Sequence, residues 1–286
     1  LELEEVAHRL PGEDQREQRP QPSDHREHVA LDRDVLAPGA ALEQQLVSRS
    51  QAETVERYVA LWHTLDDGER DVLLTAMDHL LTTKRWEAAQ GFELDDRKRV
   101  VIAAQAALLI LGLDVDWYRD VDTIIVHPTT MRFRCTGPGP VAGTEVDGEV
   151  DLLGEANYRG PVVIAWDTAS ADTRHPARGH AVVLHEFAHK LDMLDHVVDG
   201  TPPLPDRAAR ERWIEVCTRE FDLLDRADGS DPVLDDYGAT DPGEFFAVAT
   251  EAFFTVPAAL ASHKPDLYGV LRDFYRQDPV RRAPRR

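Results

Sequence analysis

From Leu42 onward the chain places apolar residues at helical spacing. Val55, Val59 and Trp62 fall at i, i+4 and i+7, and Val72, Leu73, Ala76, Met77 and Leu80 repeat the stripe, which predicts two amphipathic helices. Asp67, or Asp66 beside it, is placed to cap the second, with Glu69 and Asp71 favourable in its first turn. A third helix is predicted over residues 96–111, stopping at Gly112. The apolar run 100–113, broken by Gln105, falls well short of the roughly 20 residues that span a bilayer. It reads as a core helix. The period then changes: a β-branched run at 122–126, a second segment at 131–135 and PVVIAW at 161–166 predict strands. Helical spacing resumes at 179–195, 207–226, 243–255 and 266–276. Helices outnumber strands, and the few strands precede the central helix, so the expected class is α+β.

The first forty residues stand apart. Residues 11–28 are dense in Glu, Asp, Gln, Arg and Pro with nothing to bury, which predicts a disordered tail over 1–40. Lys+Arg 32 against Asp+Glu 53 gives a net charge of −21. Such a balance argues against nucleic acid or a membrane surface as partner, since both select basic faces. Cys135 and Cys217 lie far apart, which excludes a disulfide framework and a cysteine zinc site and favours a reducing compartment. Residues 1–30 contain no apolar stretch of signal-peptide type, so a cytoplasmic location is expected.

One segment carries chemistry. His185-Glu186-Phe187-Ala188-His189 is an HExxH sequence within an apolar-periodic helix. Positions i and i+4 share a helix face, so both imidazoles can reach one zinc ion. Glu186, about 100° round, can address a water there without ligating the metal. Leu184, Phe187, Ala188 and Leu191 form the opposite, core-facing stripe. His180 and His196 flank the motif and read as surface or supporting residues. Asp192, seven residues after His185, is placed either to orient an imidazole or to face solvent.

A catalytic zinc site needs a third protein ligand. No HxxGxxH continuation follows His189, which points to a carboxylate from a later helix. Asp241-Pro242-Gly243-Glu244 opens one, with Asp241 as N-cap and Pro242 in the first turn. Glu244 and Glu251 are seven apart and share a face, so both are candidates.

Longer segments carry a resemblance. LDVDWYRDV (113–121), GPVVIAW (160–166), HEFAHKLDM (185–193), PPLP (202–205), YGATDPGEFFAVATEAFF (237–254) and FYRQDP (274–279) resemble the Mlc titration factor A (MtfA) family of zinc metallopeptidases. The likeness covers about residues 65–280. It implies a zincin-like fold, mostly helical with a small sheet next to the HExxH helix, and a gluzincin-type core similar to that of anthrax lethal factor. The domain would occupy 41–286, with a helical part at about 41–113 and a catalytic part at about 114–280. The resemblance implies one Zn2+ per chain on His185, His189 and Glu244, Glu186 as general base, Tyr237 as oxyanion donor, and a supporting place for Glu251. The implied function is a peptidase, aminopeptidase-like on short peptide substrates and linked to regulation of sugar uptake. The alternative it offers is a regulatory binding protein that sequesters a transcriptional repressor, Mlc. An intact Glu186 and Tyr237 favour the enzyme. The strand at 161–166 is expected either to receive substrate by backbone pairing or to lie buried in the sheet.

Overall fold

A computed structural model describes residues 38–129, 132–138, 145–151 and 160–282. The tail predicted over 1–40 lies, up to residue 37, outside the described residues, as does most of the turn that follows Cys135. The chain divides into residues 1–43 and 44–286. Of the first unit the structure describes only 38–43, the opening of helix α1 (Pro38–Tyr58).

The second unit continues with α2 (Asp67–Thr83), strand β1 (Arg85–Ala88), α3 (Asp96–Leu109) and strands β2 (Thr123–His127), β3 (Arg132–Pro138), β4 (Glu145–Asp151) and β5 (Val162–Ala165). Helices α4 (Trp166–Asp172), α5 (Val182–Asp192), α6 (Arg207–Ala227), α7 (Pro242–Thr255), α8 (Pro257–His263) and α9 (Pro265–Tyr275) follow. The class is α+β, mostly helical, as the pattern predicts. The first sheet is parallel in the order β1-β2-β5, and β3 and β4 form a separate antiparallel pair.

Several boundaries differ from the predicted ones, each for a physical reason. Val59 and Trp62 continue the stripe of α1, yet the helix ends at Tyr58 and Trp62 sits buried in a 3-10 turn. There the Ala60 N–H bonds Thr173 O, and Thr173 Oγ1 bonds Tyr58 O, so a distant loop takes over the helix end. Asp66, not Asp67, caps α2 through a reciprocal capping box with Glu69. The predicted strand over 161–166 ends at Ala165, and Trp166 opens α4 instead. The predicted helix over 179–195 is shorter: Gly179, at φ +88, breaks it before α5, and a 3-10 turn follows at Met193–Asp195. Gly112 does not cap α3, which ends at Leu109; a Cβ there would meet Tyr275 O at 2.3 Å, so the glycine serves close packing against α9.

Two helices form the centre. Residues 100–110 of α3 and its C-cap, and 243–255 of α7, are buried throughout. Amphipathic α5 packs against both and against β5. No single described helix is long and apolar enough to cross a membrane.

Candidate metal centre

The HExxH helix is held from four sides. Leu184, Phe187, Ala188 and Leu191 are fully buried. Phe187 meets the Tyr118 ring edge-on at 4.9 Å, and Tyr118 OH donates to Ala106 O on α3. At its other end, Lys190 Nζ donates to Gly160 O at 2.9 Å, tying α5 to the approach of β5. Its N-terminus has no capping side chain of its own. Two carboxylates from elsewhere serve instead: Asp172 Oδ2 of α4 accepts from Val182 N at 3.0 Å, and Glu251 Oε2 of α7 accepts from Ala181 N at 2.5 Å.

Helix α7 starts where the sequence places it. Asp241 Oδ1 accepts from Glu244 N at 3.0 Å, and Pro242 opens the first turn. Gly200 brings this start beside the end of α5. Its N–H donates to Asp192 Oδ2 at 3.0 Å, its carbonyl accepts from Trp213 Nε1 at 2.9 Å, and its φ is +71. A Cβ on Gly200 would lie 2.2 Å from Pro242 O, so only glycine fits the approach.

The outcome is a convergence of three buried donors. His185 Nε2 lies 3.0 Å from Glu244 Oε2 and 3.2 Å from His189 Nε2, and His189 Nε2 lies 3.5 Å from the same carboxylate oxygen. Among the described residues, His185, His189 and Glu244 are the one group of three with metal-ligand spacing. Tetrahedral bonds of about 2.0–2.1 Å put donor atoms about 3.3 Å apart. The observed spacings bracket that value. Glu244 Oε2 is buried and accepts no well-directed hydrogen bond, although both rings approach it. A cation supplies what that oxygen lacks, so the residues fit a metal ion.

The electrostatics agree with the geometry. Burial disfavours a charged His185, but Glu244 and Glu251 outweigh it and lift the imidazole to about 10. Burial also opposes ionisation of Glu244, and the adjacent His185 and His189 overcome it, holding the carboxyl at about 2. Burial lifts Glu186 to about 7, against the pull of the two imidazoles. Glu186 Oε1 is buried without a hydrogen bond. A carboxylate poised near neutrality beside the donors suits proton transfer.

Tyr237 stands over the same site. Its ring centroid is 6.1 Å from that of His185 and the side chain is 39% exposed. With His185, Glu186, Thr168, Val182 and His180 it lines a cleft of about 270 Å³.

The remaining candidates separate clearly. Glu251 does not join the three donors; its Oε1 lies 2.8 Å from His185 Nδ1, on the far side of that ring. Asp192 is fully buried rather than solvent-facing, and its hydrogen bond goes to Gly200 instead of an imidazole. Burial lifts it to about 7. His180 and His196 are exposed, as read from the sequence. Sequence reasoning misses Asp172, Lys190 and Gly200, whose roles depend on contacts with distant segments and leave no local pattern.

Comparison with known proteins gives a consistent picture. The family model described as glucose-regulated metallo-peptidase M90 matches residues 33–276. The chain is 38% identical over 220 residues to the uncharacterized protein slr2042 of Synechocystis, covering 76% of this chain and 79% of that one. It is 33% identical over 227 residues to Mlc titration factor A of Salmonella typhi, covering 75% and 81% respectively. The corresponding protein of Salmonella paratyphi B is 32% identical over 226 residues.

Proposed function

The chain belongs to the M90 family of glucose-regulated metallopeptidases, the family that includes the Mlc titration factor A proteins, and from that premise we propose how it cleaves peptides. The metal is zinc, one ion per chain, held by His185, His189 and Glu244 within a zincin-like domain over 41–286. The observation that carries this reading is the 3.0, 3.2 and 3.5 Å spacing of their donor atoms. Zinc bound there supplies Lewis acidity, polarising the scissile carbonyl and making water more acidic. Glu186 is the general base: it takes a proton from the attacking water and returns it to the leaving amine. Tyr237 OH donates to the oxygen that gains charge, a contribution of about 2.7–4 kcal/mol per donor in enzymes of known mechanism. Strand β5 has no pairing strand on its outer edge among the described residues, which supports its use by an extended substrate.

The substrates are short peptides cleaved in an aminopeptidase-like manner, in the cytoplasm, with activity linked to sugar uptake. The name of the Salmonella relatives supports a second role, binding a repressor of the Mlc type, which is compatible with catalysis. The deciding experiment measures zinc content and peptide hydrolysis in the native protein and in Glu186→Gln. We expect one zinc in both and hydrolysis only in the native protein. Equal hydrolysis would remove Glu186 from the mechanism.

A further inference from the structure

The cleft over the metal centre has a neighbour. A second cavity of about 180 Å³ adjoins the one of about 270 Å³, and His180, Asp235, Val248 and Glu251 line both. Val248 and Glu251 are buried on α7 and form the common floor. His180 and Asp235 are more exposed and face each other, with Nε2 and Oδ2 3.9 Å apart. A backbone passing between them needs about 3.5–4.0 Å to each side, so the pair stands as a wall across an otherwise continuous groove. Both posts are anchored through the backbone. His180 lies between Gly179, at φ +88, and Ala181, whose N–H donates to Glu251 Oε2. Asp235 Oδ1 accepts from Tyr237 N at 2.9 Å. A Cβ on Gly238 would lie 3.1 Å from Leu224 Cδ2 and 3.2 Å from Val248 Cβ, so the same turn is clamped between α6 and α7.

Charge decides which end of a peptide suits the wall. Besides Glu186 and Glu251, the catalytic cleft is lined by Asp172 and Asp235, and by no lysine or arginine among the described residues. Arg178 enters only the second cavity. A terminal carboxylate would meet like charge at the walled end, whereas an α-ammonium group meets opposite charge. We propose that His180 and Asp235 set substrate length: they close the cleft at its amino-terminal end, so that a peptide enters with its free α-amino group against Asp235 and is cut near that end. The inference rests on the peptidase reading above and deepens it by naming the residues that select the substrate.

The test offers the whole zinc-loaded chain a mixed-sequence peptide pool with free or with acetylated amino termini. Mass spectrometry maps each cut by its distance from the amino terminus. We expect the native protein to cut next to free amino termini and to spare the acetylated pool. His180→Ala should open the wall, raising cleavage of acetylated peptides about tenfold and moving the cuts inward. Asp235→Asn keeps an oxygen for Tyr237 N and removes the charge. On a single peptide identified from the pool, it should lower the preference for a free terminus by up to about fivefold, through KM rather than kcat. A merely structural role would reduce all cuts together without moving them. Cleavage of both pools alike by the native protein overturns the proposal, as do unchanged cut positions in His180→Ala or loss of zinc from either variant. No cleavage of either pool by the zinc-loaded native protein would overturn the peptidase reading itself.

Discussion

In the metal-free protein Glu244 and Glu251 favour a protonated His185, lifting its imidazole to about 10 against the effect of burial. A metal must displace that proton to reach Nε2. Calorimetry in buffers of different ionisation enthalpy should therefore show about one proton released per zinc near pH 7. The apparent affinity should weaken as pH falls, by up to about tenfold per unit. Metal-free stability has the opposite sign. A raised imidazole contributes fully below its unfolded value near 6.5 and loses the contribution as pH rises through about 10. At the same scale, Glu244→Ala should abolish stoichiometric zinc, whereas Glu251→Ala should weaken it; metal analysis of the purified variants distinguishes them. That His185, His189 and Glu244 would converge was legible, because it follows from helical spacing and a family motif. The bond from Glu251 to His185 was not, because it joins residues 66 positions apart.

Among the elements, α2 and α7 begin as their sequences indicate, since N-cap signals are local. The capping box at Asp66 has a second duty: Glu69 Oε1 also pairs with Arg282 at 2.8 Å, tying the start of α2 to the end of the described chain. Asp66→Ala should cost about 1 kcal/mol in urea unfolding. Strand β1 and helices α4 and α8 were not read from the sequence. Three of the four residues of β1 are exposed, so it shows no alternation, and α4 and α8 span only seven residues each. Gly200 is the element-scale joint. Placing a Cβ there forces both a left-handed backbone and a collision with Pro242, so Gly200→Ala should cost at least about 2 kcal/mol. Because Gly200 links Asp192 at the end of α5 to the start of α7, the same variant should lose zinc affinity as well. Native stability and affinity in that variant would argue against this coupling.

For the molecule as a whole, a metal held by the proposed ligands would cross-link α5 and α7. Binding only the folded state, zinc at a hundred times its Kd should add about 2.7 kcal/mol of stability. Thermal scans with zinc and with a chelator should differ accordingly, and Glu244→Ala should abolish the difference. The α+β class was legible from period alone. The strand order was not, because a parallel sheet of short strands is set by how the intervening helices pack.

Helix α7 carries Glu244 and Glu251, and α5 carries His185 and His189, so four side chains ride on two rods. Sliding or turning one rod against the other displaces all four together. Activity should therefore vanish in a single step with any strain that parts the pair, including strain applied far from the cleft. A pair of spin labels on the outer ends of α5 and α7 would register that parting as a jump in distance.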